Sequence, residues 1–358
     1  MKINSLLILI FVSIFLVISA LASTLIKFNS PIVTSERELA FPRLMKEINQ
    51  VGKIIITSKG EAFTIVNDNE KWYLKEKNDY PVPRSKVRNF LLELTNLILV
   101  ERKTKLKERL SRLHLDATSD TSDSRQINIF NKNGKLIASG FIGKRKYFLY
   151  VDGRSGTYIR KGEEFQTWLA EGEMNFGFYS KDWLDKSVFD FNPKDVKKII
   201  IYHANGKTLE TSRAEPGSQM KLKNILQNRE FKTENEADRL AYVIEDFKFN
   251  DVEFRNKKNF LNKPHLESSV IYEFFDGFKI KFKIFTLLDE KKLSEFQEPT
   301  RWARINIEDV KLLPESKYTL EKINGLKSYL EKWDFKLQEL DGIRTTKKME
   351  TMFKPLSN

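Results

Sequence analysis

The chain has 358 residues, of which 41% are hydrophobic and 12% aromatic, a composition typical of a folded protein with a sizeable core. It contains no cysteine, which excludes disulfides, thiolate zinc sites, iron–sulfur clusters and cysteine nucleophiles. Its three histidines lie far apart in the sequence, so a histidine-built metal site is not expected, and no cofactor is predicted. The net charge of +13 favours acidic partners such as nucleic acid, anionic lipid or an envelope polymer.

The N-terminal region carries an uncharged apolar run, Leu6–Ile26. At about 1.5 Å per residue, such a helix crosses a hydrocarbon core of about 30 Å. Ala20–Ala22 matches a small-x-small cleavage site, so a cleavable signal peptide is the alternative, but the apolar run continues beyond that site. We therefore predict that residues 1–27 form an uncleaved transmembrane anchor.

Two properties of the sequence bear on the orientation of this anchor, and they disagree. Positive residues C-terminal to the run, beginning with Lys27, favour a cytoplasmic location for the rest of the chain. A signal-like N-terminus normally sends the downstream chain across the membrane, and large domains translocate with little regard for their charge. We predict a single-pass protein of the bacterial inner membrane whose bulk is extracytoplasmic, a location that makes nucleic acid an unexpected partner.

Regular strand patterns begin after a connector at residues 28–50. The segments Lys53–Ile56, Phe63–Val66 and Lys71–Leu74 predict an antiparallel meander. Ser85 is a candidate N-cap for an amphipathic helix, and a strand at Leu99–Arg102 comes after it.

A second stretch repeats this order about 145 residues later. Lys198–Ile201 predicts a strand, Glu234–Phe247 a helix and Phe249–Phe254 another strand. The predicted hairpin at Ile127–Gly134 then has a counterpart at Ile271–Gly277. Order, spacing and turn residues agree, which predicts a tandem duplication of one unit.

The predicted fold class is therefore α+β, with an N-terminal transmembrane helix followed by a tandem duplication of an antiparallel-sheet-plus-helix unit. Two repeat units are expected to carry nearly all of the chain beyond the connector. Their predicted bounds are residues 51–192 and 193–342, with a C-terminal tail at residues 343–358.

Several short motifs occur in an order associated with one bacterial family. They are Trp72, Tyr80-Pro81, Gly156–Arg160, Lys181–Asp185 and Leu330–Leu337. On these residues the chain resembles the domain-of-unknown-function family 4340, whose members typically have a single N-terminal membrane helix before the family domain, and the resemblance covers nearly the whole chain after the anchor. It implies no activity and no catalytic residues, and it implies association with auxiliary components of ABC-type transport and gliding-motility systems.

Two groups of charged residues are candidate sites. Asp182 and Asp185 have the spacing of a carboxylate pair on one helix face, but two Asp after a Ser180 N-cap are also an ordinary helix start. In Lys279, Lys281 and Lys283, alternation with apolar residues places three ammonium groups on one face of a strand. Such a row is either the solvated face of a half-buried sheet or a surface for an anionic partner.

The sequence thus predicts a noncatalytic protein. The expected function is a membrane-tethered, extracytoplasmic accessory or scaffold protein of a bacterial envelope complex. A protein partner in an ABC-transport type assembly is what the family resemblance implies. The alternative is a binding module for an anionic envelope polymer or lipid, for which Lys279, Lys281 and Lys283 form the possible contact surface. An enzyme using scattered carboxylates is the third hypothesis.

Overall fold

The structure is a computed structural model that describes residues 13–19, 38–150, 153–224, 229–255, 264–287 and 299–354. Residues 13–19 are helical and exposed, and the remainder of the predicted anchor at residues 1–27 lies outside the described residues. Among the helices described, none combines the length and the apolar character needed to cross a bilayer.

The N-terminal half of the described chain builds one antiparallel sheet. Its strands are β1 (Val51–Ser58), β2 (Glu61–Asp68), β3 (Lys71–Leu74), β4 (Tyr80–Val82), β5 (Ile98–Arg102), β6 (Arg125–Asn131), β7 (Leu136–Lys146), β8 (Gly156–Lys161) and β9 (Thr167–Glu171). Within the described residues, this first sheet has the order β4-β3-β2-β1-β6-β7-β8-β9-β5. The predicted meander is therefore confirmed as β1, β2 and β3, and every neighbouring pair is antiparallel.

The C-terminal half builds a second antiparallel sheet. Its strands are β10 (Val196–His203), β11 (Thr208–Ser212), β12 (Lys221–Leu222), β13 (Phe249–Phe254), β14 (Pro264–Phe274), β15 (Lys279–Leu287), β16 (Arg301–Glu308) and β17 (Trp333–Leu337). In the described part of the chain its order is β12-β11-β10-β14-β15-β16-β17-β13. The predicted α+β class is confirmed, because both sheets are antiparallel and helices lie between their strands.

The two strand orders correspond position by position, except that β4 has no partner of its kind in the described second sheet. The irregularities recur as well. The pairing register between β1 and β6 shifts at a bulge between Val51 and Lys53. The register between β10 and β14 shifts in the same way between Val196 and Lys198. Because a bulge is fixed by local backbone geometry, its recurrence at one position shows that the two sheets share local detail as well as order.

Helices connect and cover these strands. Beyond residue 38, the described part of the chain has the α-helices α1 (Pro42–Glu47), α2 (Arg84–Thr95), α3 (Leu320–Leu330) and α4 (Glu339–Thr345). Helix α2 buries Val87, Phe90, Leu91 and Leu94 on one face, as its periodicity predicts. Its predicted N-cap was wrong: Pro83 holds that position and Ser85 lies inside the helix, since the fixed φ of proline suits a helix entry.

The helix predicted at Glu234–Phe247 was also wrong in type. The structure has a 3₁₀ segment, Asp238–Ile244, in its place. Four of its side chains are nevertheless buried, namely Leu240, Ala241, Val243 and Ile244. The apolar pattern predicted the position of the buried segment correctly, but it does not distinguish a 3₁₀ helix from an α-helix.

One apolar cluster includes residues of both sheets. Tyr80 of β4 lies where they meet: its ring is edge-on to Trp333 at 4.9 Å between centroids and to Phe249 at 5.8 Å. Its hydroxyl hydrogen-bonds the Tyr329 hydroxyl and donates to the Asp185 carbonyl oxygen at 3.0 Å. Burial raises the pKa of Tyr80, and it raises the pKa of Tyr329 to about 12, so both phenols stay neutral.

An ion pair lies beside this aromatic contact. The Lys77 ammonium is 2.7 Å from a Glu253 carboxylate oxygen and 2.9 Å from an Asp251 oxygen. Burial alone would lower the pKa of Lys77, but the hydrogen bonds and charges of these carboxylates raise it. The contact therefore joins the connection between β3 and β4 to strand β13 of the second sheet.

The free edge of β5 is also covered. A short segment at residues 38–40 pairs with it through an isolated bridge between Leu39 and Ile98. The Leu99 N–H donates to the Glu38 carbonyl at 2.8 Å, and the Ala40 N–H donates to the Leu97 carbonyl at 2.8 Å. Residues just before α1 therefore extend the first sheet by one short pairing.

Candidate functional site

The three predicted lysines lie on β15, an interior strand of the second sheet between β14 and β16. The intervening residues Ile280 and Phe282 are fully buried, and so is Ile284. Lys279 and Lys281 are half-exposed and Lys283 is exposed, so all three ammonium groups point away from the core. The sheet face that carries them is the solvent-facing one.

Two of the lysines are balanced by carboxylates on neighbouring strands or turns. The Lys279 ammonium is 3.0 Å from an Asp309 oxygen and 3.5 Å from a Glu273 oxygen. The hydrogen bond with Asp309 raises the pKa of Lys279. Lys281 pairs with Glu308 at 3.6 Å. Such solvated pairs contribute about 0–1 kcal/mol each, so this end of the row is an ordinary solvated face.

Lys283 has a different environment. Its cross-strand partners are Ser269 on β14 and Arg304 on β16. Arg304 donates to both Asp334 carboxylate oxygens, at 3.0 and 2.8 Å, and the hydrogen bonds with Asp334 raise the pKa of Arg304. Among the described residues, no carboxylate oxygen lies within 4.0 Å of the Lys283 ammonium. Two cations therefore stand in register, and the Asp334 carboxylate beside them already accepts from Arg304 and pairs with Arg255.

Apolar side chains surround Lys283 on the same face. Tyr202 is 44% exposed and is paired with Ser269, the partner of Lys283, while Leu266 is 41% exposed. Phe285 lies opposite Leu266 and is half-buried, with the Arg304 guanidinium 5.7 Å from its ring centroid. We name this surface the Lys283 patch, which consists of Tyr202, Leu266, Lys283, Phe285 and Arg304.

The sequence pattern located the lysines but not the patch. Alternation along β15 predicts which side chains share a face, and it says nothing about which strands lie beside them. Tyr202 and Arg304 enter the patch through cross-strand register, across long sequence separations. The alternation of polar and apolar residues in β16 is the sequence signal that places Arg304 on a strand face, and it does not reveal which strand lies beside that face.

The second candidate pair, Asp182 and Asp185, lies at the 3₁₀ segment Ser180–Trp183 and just after it. One Asp182 oxygen accepts the Tyr179 N–H at 3.0 Å, and one Asp185 oxygen accepts the Ser187 N–H at 3.1 Å. The cap of the segment is thus Tyr179, one residue earlier than the predicted Ser180 cap. Both carboxylates bond nearby backbone N–H groups, as turn-stabilising aspartates do.

A cleft of about 690 Å³ lies against the first sheet, and Arg160 of β8 is buried at its floor. The guanidinium lies 3.7 Å from the Phe141 ring centroid and donates to the carbonyls of Leu115 and Glu164 at 3.1 and 3.3 Å. Burial lowers the pKa of Arg160. Its contacts tie the loop that contains Leu115 to the sheet, which is a structural role.

Comparisons with known proteins give a family match. No curated protein and no solved structure matches the chain significantly. The family described as Domain of unknown function (DUF4340) matches residues 72–265, from β3 of the first sheet to the start of β14 in the second. The match covers more than half of the chain and confirms the resemblance to this family, while the motif Leu330–Leu337 lies outside the matched residues. This chain belongs to the DUF4340 family.

Proposed function

We propose that this protein is a membrane-tethered, extracytoplasmic, noncatalytic accessory protein of a bacterial envelope complex of ABC-transport type, and that the Lys283 patch contacts a protein partner. The apolar run Leu6–Ile26 supports the tether. The resemblance to the family supports the class of assembly. The Lys283 patch is the observation that supports a contact function.

The two ends of the lysine row on β15 differ in what faces them. Near Lys279 each cation faces carboxylates, whereas Lys283 faces Arg304. Like charges opposite one another on a sheet repel each other, which is unfavourable. Exposed apolar side chains beside them do not offset that repulsion while they face water. A partner that supplies a carboxylate and apolar contacts would relieve both costs. Interfaces are enriched in tyrosine and arginine, and Tyr202 and Arg304 supply both.

The partner surface expected from this chemistry is acidic and apolar together. Burying Leu266 and Phe285 would supply most of the binding energy, because apolar burial stabilises by about 25 cal/mol per Å². The cations would set the orientation and the association rate. Binding is therefore expected to weaken as salt is raised, without being abolished.

A charge-removal pair tests this proposal. Lys283→Gln and Lys279→Gln each remove one ammonium from the same face, in full-length protein purified from membranes with its partners. We expect Lys283→Gln to lower partner retention roughly fivefold, which corresponds to about 1 kcal/mol. Retention by the Lys279→Gln variant should stay within about twofold of the parent, because that lysine belongs to a solvated ion pair.

Quantitative mass spectrometry of the retained proteins, at low and at high salt, gives the readout. Equal retention by both variants would remove the Lys283 patch from the proposal. Hydrolysis of an envelope substrate by the purified chain would overturn the noncatalytic assignment.

The second candidate function is a binding module for an anionic envelope polymer or lipid. The net charge of +13 and the exposed Lys283 favour it. Material that co-purifies distinguishes the two: a protein partner sensitive to Lys283→Gln supports docking, whereas retained polyanion without protein supports the binding module.

We also infer that the two sheets descend from one duplicated unit. The equal strand order and the recurrent bulge after Val51 and Val196 support this inference. Superposing residues 51–171 on 196–337 tests it. Equivalent strands should overlay in order with the bulges aligned, and an overlay that needs a shifted register would contradict the duplication.

A further inference from the structure

The cleft at Arg160 lies on the face of the first sheet that is turned away from the main core. Phe141 and Arg160 are paired across β7 and β8, and their chain neighbours Ile142 and Ile159 are fully buried on the opposite face. A segment that contains Leu110 packs on Phe141 in a separate small apolar cluster. The cleft of about 690 Å³ lies between this segment and the turn after β8, and its size is typical of sites for small ligands.

Arg160 is buried at the floor of this cleft without a counter-ion. Its side chain is 5% exposed, and its Nε and Nη1 atoms donate to the carbonyls of Leu115 and Glu164. Among the described residues, no carboxylate oxygen lies within 4.0 Å of the guanidinium. Arg213 is buried to a similar extent but pairs with Asp238 at 3.1 Å. Because a buried charge without an opposite charge is unfavourable, an anion bound at Arg160 would stabilise it.

The third nitrogen of the Arg160 guanidinium, Nη2, is available to a ligand. It forms no hydrogen bond with a described residue, and it is not among the polar atoms that are sealed from solvent without a partner. Since Arg160 lines the cleft, the Nη2 donors face it. Thr118 and Gln126 line the same cleft, and their side chains form no hydrogen bonds within the described part of the chain. A guanidinium matches the geometry of a carboxylate, so the floor of the cleft is suited to that group.

Three further charged side chains line the cleft, and none forms an ion pair with a described residue. They are Lys107, Asp116 and Glu163. Burial has the largest effect on the pKa of Arg160 and lowers it, whereas the charges of Glu163 and Asp116 raise it. Both carboxylates are therefore close enough to interact with the guanidinium, although neither lies within 4.0 Å of it. The two cations and two carboxylates cancel, so the lining complements a ligand that carries one charge of each sign.

Apolar side chains complete the lining. Leu110 and Phe141 are buried in its wall, and the 50% exposed ring of Phe165 belongs to the same turn as Glu163. An apolar group bound against Phe165 would remove both surfaces from water, which is favourable.

We propose that this cleft binds a free α-amino acid with an apolar side chain. Arg160 binds the carboxylate through Nη2, Asp116 and Glu163 attract the ammonium, and Phe165 covers the side chain. The two charged groups of an α-amino acid are attached to one carbon, so the ligand bridges the gap between the guanidinium and the carboxylates. A peptide terminus carries only one of these charges, which favours the free amino acid. The inference depends on neither the membrane tether nor the Lys283 patch.

Three probes with one fluorinated ring test the proposal on the full-length chain in detergent at about pH 6, where all their charged groups are ionised. Para-fluorophenylalanine carries both charges, para-fluorophenylpropionate lacks the ammonium, and para-fluorophenylalaninamide lacks the carboxylate. Broadening of the fluorine NMR line during titration gives each Kd. We expect a Kd of about 1 mM for the amino acid and about fivefold weaker binding, or less, for the other two probes. This comparison uses the parent protein and is independent of the folding of any variant.

Variants then assign the site. Arg160→Gln should weaken binding of para-fluorophenylalanine about tenfold, and Phe165→Ala about threefold. Asp116→Asn combined with Glu163→Gln should abolish the preference for the amino acid over the propionate. The matched control is Phe148→Ala, at a 79% exposed phenylalanine near the other end of β8, which should change the Kd by less than about twofold.

Equal affinity for the three probes would overturn the proposal, as would tighter binding of the propionate, which would assign the cleft to simple carboxylates. An absence of line broadening up to about 20 mM of every probe would remove the site altogether. Equal weakening by Phe165→Ala and Phe148→Ala would place the bound probe elsewhere on the chain. These outcomes leave the accessory function standing, because that function is tested by partner retention.

Discussion

In the first sheet the chain crosses to the edge strand β5 through the α-helix α2, whereas in the second it crosses to β13 through the 3₁₀ segment Asp238–Ile244. Both connections bury four apolar side chains or more and end in the same place in the strand order. The strand order therefore depends on the burial of apolar side chains by the connecting segment, and not on whether that segment is an α-helix or a 3₁₀ helix. Apolar burial is non-directional, so two windings can satisfy it.

The first test of the comparison asks whether the two sheets unfold as one body. Tyr80→Ala removes a fully buried ring that contacts Trp333 and Phe249, and we expect a loss of about 4 kcal/mol in the free energy of unfolding. Tyr80→Phe keeps the ring and should lose about 1–2 kcal/mol, because the Tyr329 hydroxyl loses its partner. Urea unfolding followed by tryptophan fluorescence measures both. A Tyr80→Ala loss below about 1 kcal/mol would mean that the sheets do not stabilise each other through this ring.

A second test uses equivalent turns. Gly134 and Gly277 have φ of 78° and 90° in the turns after β6 and β14. A Cβ at Gly277 would lie 2.1 Å from the Lys311 carbonyl oxygen, whereas a Cβ at Gly134 would meet nothing within 4 Å. We expect Gly277→Ala to cost about 3 kcal/mol and Gly134→Ala about 1, since only the former adds a clash to the backbone strain. If the two variants shift the urea midpoint of unfolding equally, the segment near Lys311 moves to accommodate the added methyl group.

The smallest effect concerns acid stability. Burial alone would raise the pKa of Glu267 on β14, but hydrogen bonds from Arg301 and Thr286 lower it below 4.5. A lowered folded-state pKa contributes stability above the unfolded value that is lost as the pH falls through the folded value. Glu267→Gln should therefore cost no more than about 1 kcal/mol at pH 7, given the partial exposure of this pair. The difference should shrink as the pH falls from the usual glutamate pKa of 4.5 through the lowered folded-state pKa.

Thermal unfolding between pH 3 and pH 7 checks this expectation. Near the comparable position of the first sheet, β6 begins with the buried Arg125, which does not titrate in this range. A difference between parent and Glu267→Gln that stays constant from pH 7 to pH 3 would assign the effect to lost packing.

Much of the fold was predictable from the sequence, because sheet alternation and turn glycines are local signals. Lys53–Ile56 lies within β1, Lys71–Leu74 is β3, and Phe249–Phe254 is β13. The type of the 3₁₀ segment was not predictable, since the apolar spacing of Leu240, Val243 and Ile244 fits either winding.

The candidate site was predictable only in part. The shared face of Lys279, Lys281 and Lys283 is set by their spacing, but their unequal environments depend on residues far away in sequence. The contact between Tyr80 and Tyr329 has the same origin, because it forms only once both sheets exist. Local sequence patterns predict which side chains share a face of a strand. The pairing of strands that are distant in sequence decides which residues lie beside that face.

The pairing of residues 38–40 with β5 has a consequence for the protein in concentrated or crowded conditions. An uncovered edge strand offers a row of N–H and C=O groups on which another chain can add a strand, the usual start of ordered aggregation. The bonds from Leu99 to Glu38 and from Ala40 to Leu97 occupy the start of that row at β5. The short segment before α1 thus protects the first sheet against self-association, and a protein trimmed to begin after Ala40 would lose that protection while losing only Ala40 from the described core.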